Sequence, residues 1–231
     1  AISNIDNGKG FVIGDQTGVG KGRVNAGIIR WAIKNGKTPI FVTEKPNLYR
    51  DMIRDLRDIG MATGATNEEQ IQSITDLIQM TNSGESIPMD DAAMEWYDKA
   101  EAAKENNEKP PKPYGEFLKT PSAAKQAAVL NEITKSSNLP DDKKIVFTTY
   151  SQMQPVAGEP TARTHALQSL IGNSVLLLDE SHNAGGTPQI TDKKSFNRAE
   201  FVRDLVEKAS GVFYSSATFA KRPDVMDLYS R

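Results

Sequence analysis

A mostly parallel β-sheet with helices on both faces is the α/β fold class that the sequence predicts. Three observations predict it. Five short β-rich runs recur along the 231 residues. Amphipathic stretches with helical spacing separate them. A glycine-rich turn follows the first run and leads directly into a helical stretch. Strands that alternate with helices form such sheets because the crossover helices cover both faces.

The elements follow in chain order. Residues 10–14 (GFVIG) are a short apolar run of the kind a buried strand makes. Residues 21–35 carry Val24, Ile28 and Trp31 at helical spacing and end at Asn35-Gly36, a helix stop. Trp31 is read as core. Residues 39–43 (PIFVT) form the next strand. Between 47 and 59, Leu48, Met52 and Leu56 recur every four residues and give one apolar helix face. Residues 144–149 (KIVFTT), 174–178 (SVLLL) and 211–214 (GVFY) supply the remaining strands, with helices over 162–171 and 198–209.

Residues 61–140 break this rhythm and read as a helical insertion. Ile71, Ile74, Leu77 and Ile78 mark one helix, with Asn67 and Gln70 placed to cap it. Residues 90–107 mark a second, largely acidic one. Thr120-Pro121 opens a third, over 122–135, with a cap residue followed by proline. Trp96-Tyr97 sits in acidic surroundings that repel phosphate, so the pair reads as packing on a protein partner of the insertion or in the core rather than as a base stack.

Composition excludes several chemistries. With no cysteine there is no disulfide, thiolate metal site or cysteine nucleophile. His165 and His182 are too few for a histidine-rich zinc site, and His165 reads as structural. No apolar run approaches the roughly 20 residues of a membrane helix, and no signal peptide is visible, so no membrane partner is expected. The net charge of −2 leaves nucleic-acid binding to a local basic face. Residues 21–57 hold nine Lys/Arg against three acids. Arg50, Arg54 and Arg57 alternate there with Asp51 and Asp55, which reads as a salt-bridged helix face rather than a DNA-facing stripe.

The glycine-rich turn is GDQTGVGKGR, residues 14–23. A strand, a glycine turn, a lysine and a helix start aim backbone N–H groups and the helix N-terminus at one point, which suits a phosphate chain. Lys21 supplies a point charge for the outer phosphates. The pattern G-x-x-x-x-G-K-[ST] is met imperfectly. Asp15 replaces the first glycine, and Gly22 replaces the hydroxyl residue that usually holds Mg²⁺. Thr17 or a water is the candidate substitute.

VLLLDESH, residues 175–182, delivers Asp179 and Glu180 at the end of an apolar strand, where ligands bind in open α/β sheets. Alone, such a pair reads more readily as a helix N-cap. Behind a phosphate loop, Asp179 reads as the Mg²⁺ ligand and Glu180 as the general base for the attacking water. His182 is placed to link this site to another element. YSSAT, residues 214–218, offers hydroxyls that bond to the acidic box. FTTYS, residues 147–151, offers hydroxyls and N–H groups to nucleic-acid phosphates.

In this order, loop, acidic box and Ser-Ala-Thr resemble the first RecA-like domain of superfamily-two helicases and translocases. GDQTGVGKG looks like their motif I in the Swi/Snf-type form with aspartate for the first glycine. DESH fits motif II of DExH type, and SAT fits motif III. A closer resemblance is to the strawberry-notch-like family, carried by GDQTGVGKGR, RDLRDIG (54–60), FTTYS and LLLDESHNA. SSATFAKRPDVM (215–226) resembles the versions in large phage and plasmid proteins that join a methyltransferase to a helicase, including antirestriction proteins. The resemblance covers 8–60 and 144–228 and leaves out the insertion.

It implies that residues 1–231 are one RecA-like motor domain (the N-terminal helicase lobe), with a second RecA-like domain expected outside them. ATP and Mg²⁺ are the implied cofactors. Asp15, Gln16, Thr17, Gly18, Val19, Gly20, Lys21, Gly22 and Arg23 surround the phosphates. Asp179 holds the metal, and Glu180 activates water with Lys21 and His182 beside it. Thr148, Thr149 and Ser151 approach DNA, with RNA left open. Ser216, Ala217 and Thr218 couple the sites. The expected setting is the cytoplasm of a bacterial host or its phage. Without the second domain, the piece is expected to bind nucleotide but hydrolyse it poorly. The rival reading is a non-hydrolysing nucleotide- or DNA-binding scaffold of a phage assembly, supported by Gly22.

Overall fold

The computed structural model describes residues 1–14, 20–45, 48–61, 79–81, 86–87, 91–109, 111, 122–141, 143–184, 197–216 and 223–229. Its elements run α1 (Ile2–Asp6), β1 (Gly10–Ile13), α2 (Lys21–Lys34), β2 (Thr38–Thr43), α3 (Leu48–Asp58), β3 (Gln79–Thr81) and β4 (Ser86–Ile87). Then follow α4 (Asp91–Glu105), α5 (Ala123–Ser136), β5 (Ile145–Thr149), α6 (Ala162–Leu170), β6 (Ser174–Asp179), α7 (Arg198–Lys208) and β7 (Gly211–Ser215). Short 3₁₀ turns cover Tyr150–Met153, Ser181–Ala184 and Pro223–Tyr229.

The strands form one sheet in the order β1-β7-β6-β2-β5-β3-β4. Every pairing is parallel except that of the edge strand β4 with β3. The expected five-strand parallel sheet is therefore present. The insertion adds two strands that the sequence reading does not foresee. At three and two residues they are too short for an alternating pattern, and β3 is set by its register against β5.

Side-chain alternation divides the core into two layers. Ile40, Val42, Val146, Leu176, Leu178, Val212 and Tyr214 face one side of the sheet, where α5, α6 and α7 cover them. Phe41, Ile145, Phe147, Val175, Leu177 and Phe213 face the other side, under α1, α2 and α3. Val175–Leu178 have no exposed surface at all, as expected for a strand covered on both faces. Aromatic packing ties α3 to the sheet, with Tyr49 and Phe147 ring centres 5.4 Å apart. Trp31 is half-buried at the margin of this second layer.

Local signals place most helix ends. Helix α2 stops at Asn35, followed by Gly36 at φ +67°. The cap of α5 is Ser122, whose Oγ accepts from the Lys125 N–H at 3.3 Å, and not Thr120 as the Thr-Pro pair suggests. A reciprocal Thr161–Thr164 box opens α6. His165 on that helix is exposed, so it is not part of the core. The salt-bridged face of α3 is present in part: Arg54 pairs with Asp51 of the same helix at 3.1 Å, whereas Arg50 reaches Asp98 of α4 at 3.3 Å. The helix expected around 71–78, with its capping residues, lies outside the described residues.

Candidate nucleotide site

The C-terminal ends of β1, β6, β7 and β2 bring the predicted residues together. Gly20 caps α2 at φ +86°, a left-handed conformation that glycine adopts without strain. Lys21 opens that helix. Its side chain is 10% exposed, and its Nζ is buried with no hydrogen-bond partner among the described residues. Its ion-pair partner there is Glu180 Oε1, at 3.9 Å. A buried ammonium without hydrogen bonds is costly, so this geometry suits an anion that completes its shell.

Asp179 ends β6 with both oxygens held. Oδ2 accepts from Thr43 Oγ1 at 3.3 Å and Oδ1 from Ser215 Oγ at 3.3 Å. Burial, and then the charge of Glu180, raises its pKa above the usual carboxylate value; the two hydroxyls and Lys21 oppose that shift. The Tyr150 hydroxyl donates to the Asp179 carbonyl oxygen at 2.9 Å. Burial and the nearby Asp179 charge push the Tyr150 phenol well above its usual range, so it stays a donor.

Glu180 turns out of the strand at φ +46°, a left-handed conformation costing a non-glycine residue about 1–3 kcal/mol. The turn presents its carboxylate to Lys21 and to His182, whose Nδ1 lies 3.4 Å from Glu180 Oε2. The same nitrogen lies 3.0 Å from Ser216 Oγ. His182 therefore bridges the acidic box to the segment after β7. That segment is fixed in turn by the Ser216 N–H bond to the Ile13 carbonyl of β1 at 3.2 Å.

A cavity of about 570 Å³ opens beside this cluster, between α2, α3 and the β6 tip. Gly20, Lys21, Gly22, Asp51, Asp55 and Asp179 line it. Its size suits a small ligand. Arg23 reaches its wall and pairs with Asp58 at 3.2 Å.

Of the residues expected at nucleic acid, Thr148 and Thr149 are buried in β5, at 0% and 1% exposure. Their hydroxyls bond to Gln152 and Ser151. Ser151 is the exposed member of the three. Loop residues Asp15, Gln16, Thr17, Gly18 and Val19, and Ala217 and Thr218 of the coupling segment, lie outside the described residues. The sequence reading missed Thr43, although a hydroxyl at the end of a predicted strand is a usable signal. It gave Tyr150 no role beyond its motif.

A family model for the P-loop containing NTP hydrolase pore-1 domain matches residues 4–231. The chain belongs to this P-loop NTP hydrolase family. Comparisons with curated proteins and with solved structures found no match. As a P-loop NTP hydrolase the chain is a nucleotide-binding domain, and Lys21, whose buried Nζ has no hydrogen bond among the described residues, lies beside Asp179 and Glu180 in an arrangement that fits a nucleotide with Mg²⁺. Among the described residues of this NTP hydrolase, no helix is long and apolar enough to cross a membrane.

Proposed function

We propose that the chain is the first motor lobe of an ATP-dependent DNA helicase or translocase, working with a second RecA-like domain. One observation carries the reading: His182 Nδ1 sits between Glu180 and Ser216, so the carboxylate that acts on water is tied to the segment following the neighbouring strand. A coupled motor needs such a link, whereas a plain nucleotide store does not.

Lys21 binds the outer phosphates, and Asp179, held by Thr43 and Ser215, is the metal ligand. A Mg²⁺ bound there would supply neutralisation of the phosphate charge. Glu180 orients the attacking water and takes its proton, a role consistent with its turned-out backbone. Ser151 and Gln152 line a second cleft of about 550 Å³ between α5 and α6, with Arg163 on its wall. We assign this cleft to the nucleic-acid backbone, with Thr148 and Thr149 buttressing it from below. A protein partner on 61–140 belongs to the same reading, as does action in a bacterial or phage-infected cytoplasm.

The test is ATP turnover by the longest natural chain containing this segment, with and without DNA. DNA-stimulated turnover that disappears in Lys21→Ala is the expected result. Gly22 favours a second reading, a nucleotide-binding scaffold without turnover. That reading requires Glu180→Gln to leave the parent protein's function intact.

A further inference from the structure

Resting on the nucleotide-site reading above, we infer that Asp55 of α3 takes the place of the missing loop hydroxyl as a ligand of the nucleotide-bound divalent cation, directly or through water. Gly22 stands where Ser or Thr usually supplies that hydroxyl. The space beside Gly22 is already filled. A Cβ built on it would fall 2.9 Å from Asp55 Cγ and overlap Oδ2. The carboxylate oxygen thus occupies the position that a side chain at residue 22 would take. Glycine leaves that space open to the acid from α3, and a side chain at 22 would displace the carboxylate from the start of α2.

The surroundings support this assignment. Among the described residues the Asp55 carboxylate has no hydrogen bond and no ion pair, although arginines flank it. Arg54 turns to Asp51, and Arg23 to Asp58. Asn25, one turn further along α2, faces the same cavity. It is 2% exposed, and its Oδ1 has no hydrogen-bond partner among the described residues. A buried acceptor without a donor needs something electropositive nearby. Asp179 lines the cavity with them. No group of three acidic or histidine side chains that could hold a metal occurs among the described residues. The arrangement instead matches the usual habit of Mg²⁺, which takes one or two carboxylates and completes its shell with phosphate and water.

The test is binding of a fluorescent non-hydrolysable ATP analogue to the chain, in saturating Mn²⁺ and in EDTA. The variants are Asp55→Asn, Asp55→Ala and Gly22→Ala, with circular dichroism to confirm folding. Both Asp55 variants should weaken binding about tenfold in Mn²⁺, in the range for losing a metal-site partner. In EDTA, binding should stay unchanged or tighten, because a carboxylate facing phosphate without a cation only repels it. Gly22→Ala, which expels the carboxylate while keeping it in the chain, should show the same pattern. If both Asp55 variants bind unchanged or tighter in Mn²⁺ while Asp179→Asn weakens binding, Asp55 is no cation ligand and the nucleotide site stands. If Lys21→Ala changes nothing in either condition, the nucleotide-site reading falls, and the role of Asp55 falls with it.

Discussion

Two carboxylates face one cavity from opposite supports. Asp179 stands at the end of a central strand, with a hydroxyl on each oxygen and a tyrosine on its carbonyl. Asp55 stands on a surface helix, and none of its neighbours bonds to it among the described residues. Burial raises the pKa of both above the carboxylate norm; Asp58 and Asp51 add to the effect at Asp55, while Arg54 and Arg23 oppose it. The strand end is thus a built holder whose partners are already in place. The helix offers a charge whose partner arrives with the ligand.

The largest expected effect lies beside both groups. Glu180→Gln should cut NTP hydrolysis by about 10²–10⁴ with nucleotide binding retained, as measured by phosphate release in the presence of the second domain. Next comes the pair itself. If Asp55 and Asp179 share one cation, the loss in Mn²⁺-dependent affinity for the double Asn variant falls short of the sum of the single losses; simple additivity would separate them. Smaller still is the cost of dismantling the holder. Thr43→Val and Ser215→Ala should each destabilise the fold by about 0.5–1.5 kcal/mol, the range for an ordinary hydrogen bond, because both contacts are long at 3.3 Å; the loss is read as a lower melting temperature.

The smallest effect concerns pH. The folded state holds the Asp179 proton more tightly than the unfolded chain does, so the charged form lowers stability at neutral pH. Asp179→Asn should raise the melting temperature by a few degrees at pH 7. The gain should shrink as pH falls from the raised folded pKa toward the ordinary carboxylate range of the unfolded chain, below which both states are protonated. A gain that grows on acidification would reverse the assignment of burial as the dominant cause.

Much of this was legible from residue order alone. GFVIG, PIFVT and SVLLL are apolar runs bounded by turn residues, and each becomes a parallel strand. Lys21, Asp179, Glu180 and His182 sit at strand or helix ends, where one-dimensional order already fixes their position. Asp55 was legible only as part of a charged helix face, because its role depends on how closely α3 packs against α2. Their motif points Thr148 and Thr149 toward nucleic acid, whereas the sheet and its covering helices bury both side chains. A sequence states which residues leave a sheet edge together; it does not state which of their side chains remain in solvent.

The close approach of Gly22 and Asp55 also bears on how such a loop can change by descent. A serine at 22 would meet the acid, and a small residue at 55 would leave a gap without supplying the hydroxyl. On that reading each single substitution disturbs the site, while the pair made together leads back to the common pattern. Positions 22 and 55 are therefore coupled, and a change at either is expected to be tolerated better when the other changes with it.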